Sequence, residues 1–576
     1  NNSLQRRSPQ AQNSDGSSSN GTRSNRRIGV GAPSQLQLQY PTKPKNSGPL
    51  VVFRIIAITI IIFCIIWGYL IIKIASDING GQPTPISMLA RPLIPQNGMR
   101  GMIQQKINHI ELQLRPVPLL DVAHMDSPVL IITFKRADYL ERTLWKIFEN
   151  HPAQQQVATA QRNGGHGDLR STHSKQDSKR NYRIIGAPII ISQDGTNAEV
   201  RKVIETYRQL FEMKLGVPVY RIEHPHSHAD DLPTDPSVDF DWSKPYKLLA
   251  AHYGWALDKT FSGSAYINDQ KHNREIPTPP LPKRVIILEE DIEIADDFFS
   301  LMNATADLLD SDDTLLAVSA FNDNGKEQFV GRGGGEGSKR LVRSDFFPGL
   351  GWMMSRTVWD GPVSHPGTGL KSNWAPGGFW DDWLRESANR HGRQIIRPEV
   401  SRTFHFGNVN GASAGENNNI LNKIELEENG VRWEDQDLSF LDASSFANKY
   451  WNRVSRAKLV EKVVKAKSHV AHSDVRIVYS NFEHFQRLAM ELDIMQDEKA
   501  GVPRTGYEGI VEIRYGRGNF FIFLTPPCVT GSDKPEHFGS KAWMEYSKES
   551  MMQELGIENV PVEDRPPLDW GLGWGN

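Results

Sequence analysis

Val285-Ile286-Ile287-Leu288, running directly into Glu289-Glu290-Asp291, constrains the fold of this chain more than any other stretch. Four consecutive apolar residues have no polar face, so a strand built from them must be covered on both sides, as inside a parallel sheet. Three carboxylates at its carboxyl end fall where open α/β sheets hold their ligands. Like charges this close stay ionised together only when a cation or donor groups compensate. Hard oxygen ligands at a sheet edge suit Mg²⁺ or Mn²⁺ shared with a substrate phosphate. A solvated acidic turn explains the same residues, and the triplet alone does not choose between the two.

The surrounding sequence alternates strand and helix patterns. Segment 128–134 reads as a buried strand and 137–150 as an amphipathic helix, with Leu140, Leu144, Ile147 and Phe148 on one face. Strands at 188–192, 217–223, 284–288 and 315–321 are separated by helices at 198–215, 247–261 and 296–309. Such regularity predicts a parallel sheet with right-handed crossovers, a doubly wound α/β layer. Beyond Gly407 the pattern changes: 407–419 is small and polar, a candidate mobile loop. Strands near 474–480, 509–515 and 519–524 and a helix near 482–494 then predict a small α+β domain. The glycine-rich 331–337 lacks the flanking strand and helix of a phosphate-binding loop and reads as surface.

Lys plus Arg total 66 and Asp plus Glu 68, a net charge of -2, so the chain lacks the basic field that nucleic acid requires. Its two cysteines are Cys64, inside an apolar run, and Cys528, so the fold must stand without an internal disulfide. The run from Ile55 to Ile72 is uncharged and, with Leu50 to Phe53, long enough to cross a bilayer. Arg6, Arg7, Arg23, Arg26, Arg27, Lys43, Lys45 and Arg54 precede it against a lone Asp15, which places the N-terminus in the cytosol and the remainder in the lumen. The expected organisation is a disordered cytosolic tail (1–50), a transmembrane signal anchor (51–74), a Pro-rich lumenal stem (75–126), an α/β catalytic domain (127–407), a loop and linker (408–443), a small α+β domain (444–530) and a tail (531–576).

Five segments in order narrow this further: the acid-tipped strand, SAFNDNGKEQ (319–328), RSDFFPGLGWMM (343–354), FWDDWLRE (379–386) and RPEVSRTFHFG (397–407). Together they resemble the β-1,2-N-acetylglucosaminyltransferase I family of Golgi enzymes, over about residues 127 to 527. The resemblance implies a GT-A, Rossmann-like nucleotide-diphospho-sugar transferase fold. It also implies Mn²⁺-dependent, inverting transfer of N-acetylglucosamine from UDP-GlcNAc to O2 of a mannose on a high-mannose N-glycan. Its partners would be that donor, glycoprotein glycans and the Golgi membrane, with room for association with other Golgi glycosylation enzymes.

The same resemblance assigns roles position by position. Asp291 matches the sole protein ligand to the metal. Glu289 and Glu290 match the positions that touch donor sugar and ribose, with Glu290 standing where the family commonly has Asp. Asp381 matches the catalytic base; by residue type alone, Asp381 and Asp382 equally suit the first turn of a helix, where carboxylates complement the dipole. Arg136, Asp194 and His252 match uridine-contacting residues. Leu350 lies in the segment lining the donor-sugar pocket, and Ser413 matches a diphosphate contact in a loop that orders over the donor.

Other features read more plainly. His224, His226 and His228 alternate in a Pro/Asp-rich connection and are expected in a solvated loop rather than a metal site. Asn303 heads a glycosylation sequon inside a predicted helix. Two rival functions remain: the related transfer to O-mannose on proteins, and an inactive relative that binds glycans.

Overall fold

The computed structural model describes residues 96–111, 126–154, 187–225, 244–266, 279–331, 333–374, 378–407 and 421–526. The expected tail and anchor (1–74), almost all of the 154–183 insert, Ser413 with its loop, and the 531–576 tail lie outside them. Among the described residues no helix is long and apolar enough to cross a membrane.

Ten strands make the first part: β1 (Val129–Thr133), β2 (Ile189–Asp194), β3 (Val219–His224), β4 (Arg284–Glu289), β5 (Ile292–Ile294), β6 (Leu315–Ser319), β7 (Leu341–Ser344), β8 (Trp352–Ser355), β9 (Gln394–Pro398) and β10 (Thr403–His405). Eight form one sheet in the order β3-β2-β1-β4-β8-β6-β9-β7, and β5 pairs separately with β10. β3, β2, β1 and β4 run parallel, as the alternation predicts. The expectation of a wholly parallel sheet fails at β8, which is antiparallel to both β4 and β6, and again at β7. Parallel neighbours need a crossover of helical length. Between β6 and β8 the described residues form a single 3₁₀ turn and the short strand β7, and no α-helix.

The principal helices are α1 (Gln96–Glu111), α2 (Ala137–Asn150), α3 (Ala198–Leu210), α4 (Lys244–Phe261), α5 (Phe298–Ser311), α6 (Trp380–Arg385), α7 (Ala443–Arg456) and α8 (Phe482–Leu492), with shorter ones at Arg356–Asp360, Ser387–Arg390 and Val463–His469. Pleating sends alternate residues of β4 into different cores. Ile286 and Leu288 join Leu140, Leu144 and Ile147 of α2 and Ile204 and Tyr207 of α3. Val285 and Ile287 join Tyr253, Ala256 and Leu257 of α4 on the other face. This two-sided burial is what the apolar run demanded. Asn303 lies within α5, as its pattern predicts.

Two stretches are more structured than the sequence suggested. Residues 96–111, read as stem, form a helix whose Ile103 and Ile107 enter the core beside α2, while Arg100 pairs with Glu141 at 3.0 Å. In the 421–443 stretch, read as linker, Trp433 is fully buried. Its Nε1 donates to Asp297 Oδ2 at 2.9 Å, the Val431 amide donates to the same oxygen at 2.9 Å, and Arg402 donates to it at 3.0 Å. A buried carboxylate with this many donors fixes the segment that touches it.

The C-terminal sheet contains β11 (Lys458–Leu459), β12 (Val475–Val478), β15 (Val511–Arg514) and β16 (Phe521–Thr525), ordered β11-β12-β16-β15. One face packs Val511, Ile513, Ile522 and Leu524 against Phe485, Leu488 and Leu492 of α8. From the other face, Phe521 and Phe523 join Phe446, Tyr450 and Trp451 of α7 in the main core. Between these elements a hairpin, β13 (Glu498–Lys499) and β14 (Val502–Pro503), turns at Ala500 and Gly501, both with positive φ as a two-residue turn of this kind requires.

Glu498 on this hairpin is 2% exposed, and neither carboxyl oxygen has a hydrogen-bond partner among the described residues. Burial, helped by Asp497, pushes its carboxyl up to about 8. The native state therefore holds a proton that the unfolded chain releases near pH 4, and this group's contribution to stability is lost as pH rises towards 8. Urea unfolding between pH 5 and pH 7.5 should show stability falling with pH, by up to about 1.4 kcal/mol per unit from this group. Glu498→Gln should flatten that slope; parallel wild-type and variant slopes would remove Glu498 as its source.

Candidate active site

The acidic triplet closes β4 and turns the chain into β5. Because β5 pairs with β10, His405 lies opposite Ile292, and the Phe406 amide donates to the Asp291 carbonyl at 3.0 Å. Glu290 and Asp291 are each 4% exposed. Each acid meets a different set of partners, with Arg136 shared by two of them. The Tyr253 hydroxyl of α4 donates to Glu289 Oε1 at 2.7 Å. Glu290 receives the Phe134 amide at 2.9 Å, the Thr133 hydroxyl and Arg136 Nε at 2.5 Å. Asp291 Oδ2 receives Arg136 Nη2 at 2.7 Å and lies 3.4 Å from His405 Nε2.

These contacts separate the acids electrostatically. Burial raises Glu289 to about 7, with the neighbouring Asp291 charge adding to the rise. Burial also raises Glu290, against the opposing pull of Arg136, Thr133 and the Phe134 amide. Burial works against ionisation of Asp291 too, but His405 and Arg136 outweigh it and hold that carboxyl far below its usual range. His405 is drawn upwards in return, chiefly by Asp291 against the effect of burial. The solvated acidic turn is thus excluded: Glu290 and Asp291 are buried, Glu289 is half-buried, and each has a compensating donor.

Asp291 Oδ1 and Arg136 Nη1 are both buried without a hydrogen-bond partner among the described residues. A hard carboxylate oxygen and a guanidinium donor, left in reserve side by side, fit a divalent cation and an anionic ligand respectively. No group of three or more His, Cys, Asp or Glu among the described residues is arranged to cage a metal. A cation here would therefore draw its remaining ligands from substrate or water, which suits Mg²⁺ or Mn²⁺. The backbone makes room for this corner, since a Cβ on Gly407 would run into Asp291 Oδ2.

The other expected nucleotide residues gather at the neighbouring strand ends. Asp194 terminates β2, and Oδ1 accepts from His224 Nδ1 at 2.8 Å. His252 on α4 hydrogen-bonds the Ser192 hydroxyl at 2.7 Å, and its ring stacks on His224 at 5.1 Å. His224 is 4% exposed at the end of β3, so the solvated-loop reading of that histidine is wrong. β-strand register buries it beside Asp194; His226 and His228 lie outside the described residues. Leu350 takes a left-handed conformation, φ 49°, between Gly349 and Gly351, and its carbonyl accepts from the Thr403 hydroxyl at 2.6 Å.

Asp381 and Asp382 both occupy the first turn of α6, as the dipole argument allowed. Their surroundings differ. Asp382 gives Oδ1 to Arg385 at 2.6 Å and Oδ2 to Lys499 at 3.2 Å, and these cations hold it below its usual range despite burial. Asp381 accepts only from Arg385, on Oδ2 at 2.8 Å, while the two carboxylates are almost equally exposed, at 37% and 34%. Asp381 is therefore the less engaged of the two carboxylates. Trp380 beside it stacks on Tyr253 at 4.2 Å, and Tyr253 bonds Glu289. Three residues here escaped sequence reasoning: Tyr253, His405 and His224. Each sits inside or beside a recognised segment, but only strand pairing and helix placement bring it to the acids.

The GNT-I family model matches residues 181–536. An alpha-1,3-mannosyl-glycoprotein 2-beta-N-acetylglucosaminyltransferase of Arabidopsis thaliana is 36% identical over 407 residues, 70% of this chain and 74% of that protein. Among solved structures, a mannosyltransferase, PcManGT from Pyrobaculum calidifontis in complex with GDP-Man and Mn²⁺, aligns with a TM-score of 0.24 and 12% identity, over 52% of this chain and 66% of the other. An active-site mutant of LgtC aligns with a TM-score of 0.20 and 10% identity, over 52% and 83%. The family match extends across the acidic triplet, the Asp381 turn and the C-terminal sheet, and with the Arabidopsis thaliana relative it shows that the chain belongs to the GNT-I family.

Proposed function

We propose that this chain is an inverting, Mn²⁺-dependent transferase that moves N-acetylglucosamine from UDP-GlcNAc to O2 of the α-1,3-linked mannose of a Man5GlcNAc2 N-glycan. Family membership supports the transfer, and the name of the Arabidopsis thaliana relative supports the acceptor. The observation that carries the reading is Tyr253, which bonds the donor-side Glu289 and stacks on the neighbour of Asp381. That one side chain joins a buried acidic corner to an exposed carboxylate, the pair of functions that glycosyl transfer requires. The mixed sheet, with its polar groups at the carboxyl ends of β1, β2 and β4, supports the GT-A assignment. The apolar run 55–72 and the basic residues before it support a single-pass type II anchor in the Golgi membrane, with the catalytic part in the lumen.

In this mechanism Asp194 and His252 bind the uracil end, held in place by His224 and Ser192. Arg136 Nη1 donates to the donor, Glu289 touches its sugar, Leu350 lines the sugar pocket and Ser413 belongs to a loop that covers the diphosphate. Asp291 would hold Mn²⁺, which when bound neutralises charge on the departing UDP. Asp381 accepts the proton of the acceptor hydroxyl as that oxygen attacks the anomeric carbon; the bond from this carbon to UDP breaks on the opposite face. Glu290 binds the β1 loop and Arg136 instead of standing free for ribose, so its longer side chain serves to aim Arg136.

Three measurements test this reading. The full chain in detergent should release UDP and build product on Man5GlcNAc2, lose activity in EDTA and regain it with Mn²⁺. Product on an O-mannosyl peptide alone, or turnover indifferent to EDTA, overturns it. Asp381→Asn should lower kcat by about 10²–10⁴-fold while UDP-GlcNAc still binds; normal turnover removes Asp381 as base. Glu290→Gln keeps the shape and removes the charge facing Arg136, and should cost about 1–3 kcal/mol in urea unfolding. An unchanged midpoint would show that Arg136 is held without it.

A further inference from the structure

The acceptor must approach Asp381 from solvent, and the residues that would receive it are not assigned by the roles given above. Two consecutive residues ahead of Asp381 pair with two rungs of α4. Trp380 stacks on Tyr253 at 4.2 Å, inside the core and toward Glu289. Phe379 packs on Tyr246, ring centroids 4.3 Å apart and tilted by 42°. Tyr246 and Tyr253 are seven residues apart, about two helical turns, and so lie on one face of α4. The inner pair is buried, whereas the Phe379 ring is 36% exposed, one of the few large apolar side chains that reach the surface among the described residues.

An exposed aromatic ring beside a reactive carboxylate matches one chemistry closely. A pyranose carries C–H groups on its ring faces and hydroxyls at its rim, so it can lie flat on an aromatic ring and keep its polar groups in water. Phe379 is two residues from Asp381, at most about 7 Å along the chain, roughly the span of one sugar ring. The backbone between them is fixed, since the Phe379 carbonyl accepts the Trp383 amide at 3.0 Å and Trp380 is locked between Tyr253 and Trp352. A sugar resting on Phe379 is thereby held in register with the base.

We propose that Phe379 and Tyr246 form an acceptor platform that takes a mannose ring of the glycan next to the one whose hydroxyl reacts. The proposal rests on the acceptor-transfer reading above and adds the place where that acceptor sits. Aromatic contacts of this kind are modest, so the platform sets acceptor affinity and orientation while the chemistry stays with Asp381.

Steady-state kinetics of the full chain with UDP-GlcNAc and Man5GlcNAc2 test it, alongside saturation-transfer NMR of the same glycan with UDP present. Phe379→Ala and Tyr246→Ala should each raise the acceptor KM by roughly tenfold, with much smaller changes in kcat and in the donor KM. Phe379→Trp should retain the acceptor KM, because a flat ring remains. The glycan's NMR signal should weaken in both alanine variants. Unchanged acceptor KM, or equal rises in donor and acceptor KM, overturns the platform, as does failure of Phe379→Trp to rescue. The NMR arm separates the two readings. If the wild type transfers nothing but binds the glycan through Phe379, the function falls and the platform stands; if transfer proceeds and glycan binding ignores Phe379, the platform falls alone.

Discussion

Three adjacent carboxylates at the end of a parallel strand, two of them buried and one half-buried, are costly, and much of the architecture around β4 offsets that cost. Each acid is stabilised from a different direction: Tyr253 from α4, the β1 loop with Arg136, and His405 from β10. Arg136 is the shared element, since one guanidinium faces both Glu290 and Asp291. The compensation stops short of completion. Asp291 Oδ1 and Arg136 Nη1 keep unspent bonding capacity in a place that water does not reach. One is an acceptor and the other a donor, and they belong to two side chains already paired through Arg136 Nη2 and Asp291 Oδ2.

The same corner depends on contacts far from it in sequence. Arg402, just before β10, is buried against Asp297, which also anchors Val431 and Trp433. Breaking a buried pair of this sort leaves an uncompensated charge and typically costs about 3–5 kcal/mol. The C-terminal sheet is tied in similarly, through Phe521 and Phe523 in the main core and through Lys499 on Asp382. Lys499 has a chemical consequence: it occupies the neighbour of the proposed base and leaves Asp381 with the freer carboxylate. Along the same sheet edge, α4 carries His252 to Ser192 beside Asp194 and Tyr253 to Glu289, so one helix joins the two polar clusters.

Much of this was legible beforehand. β1, α2, β2 and β4 fall within a residue or two of their sequence patterns, because each has a strong period of its own. The mixed character of the sheet was not legible, since β7 and β8 are four-residue strands whose direction depends on partners elsewhere. Helix α7 was missed because its apolar residues follow a polar, unpatterned approach, and α1 because its stripe of Ile103, Ile107 and Ile110 is narrow and set amid polar residues. His224 was misread for a different reason: flanking Pro and Asp residues argued for solvent, and the pairing of β3 with β2 buried it.

What the sequence determined by itself was local and periodic: a strand covered on both faces, an acidic edge, an alternation that fixes an α/β layer, and motifs that identify a family. Residue spacing along one chain is enough for those, because strand and helix geometry map spacing onto faces. The tertiary structure decided which acid is compensated by what, which of Asp381 and Asp382 stays available, and that Glu290 faces Arg136. Those answers depend on distances of a few ångströms between residues on different elements. Such distances are set by strand register and helix packing, and no periodicity in the chain encodes them.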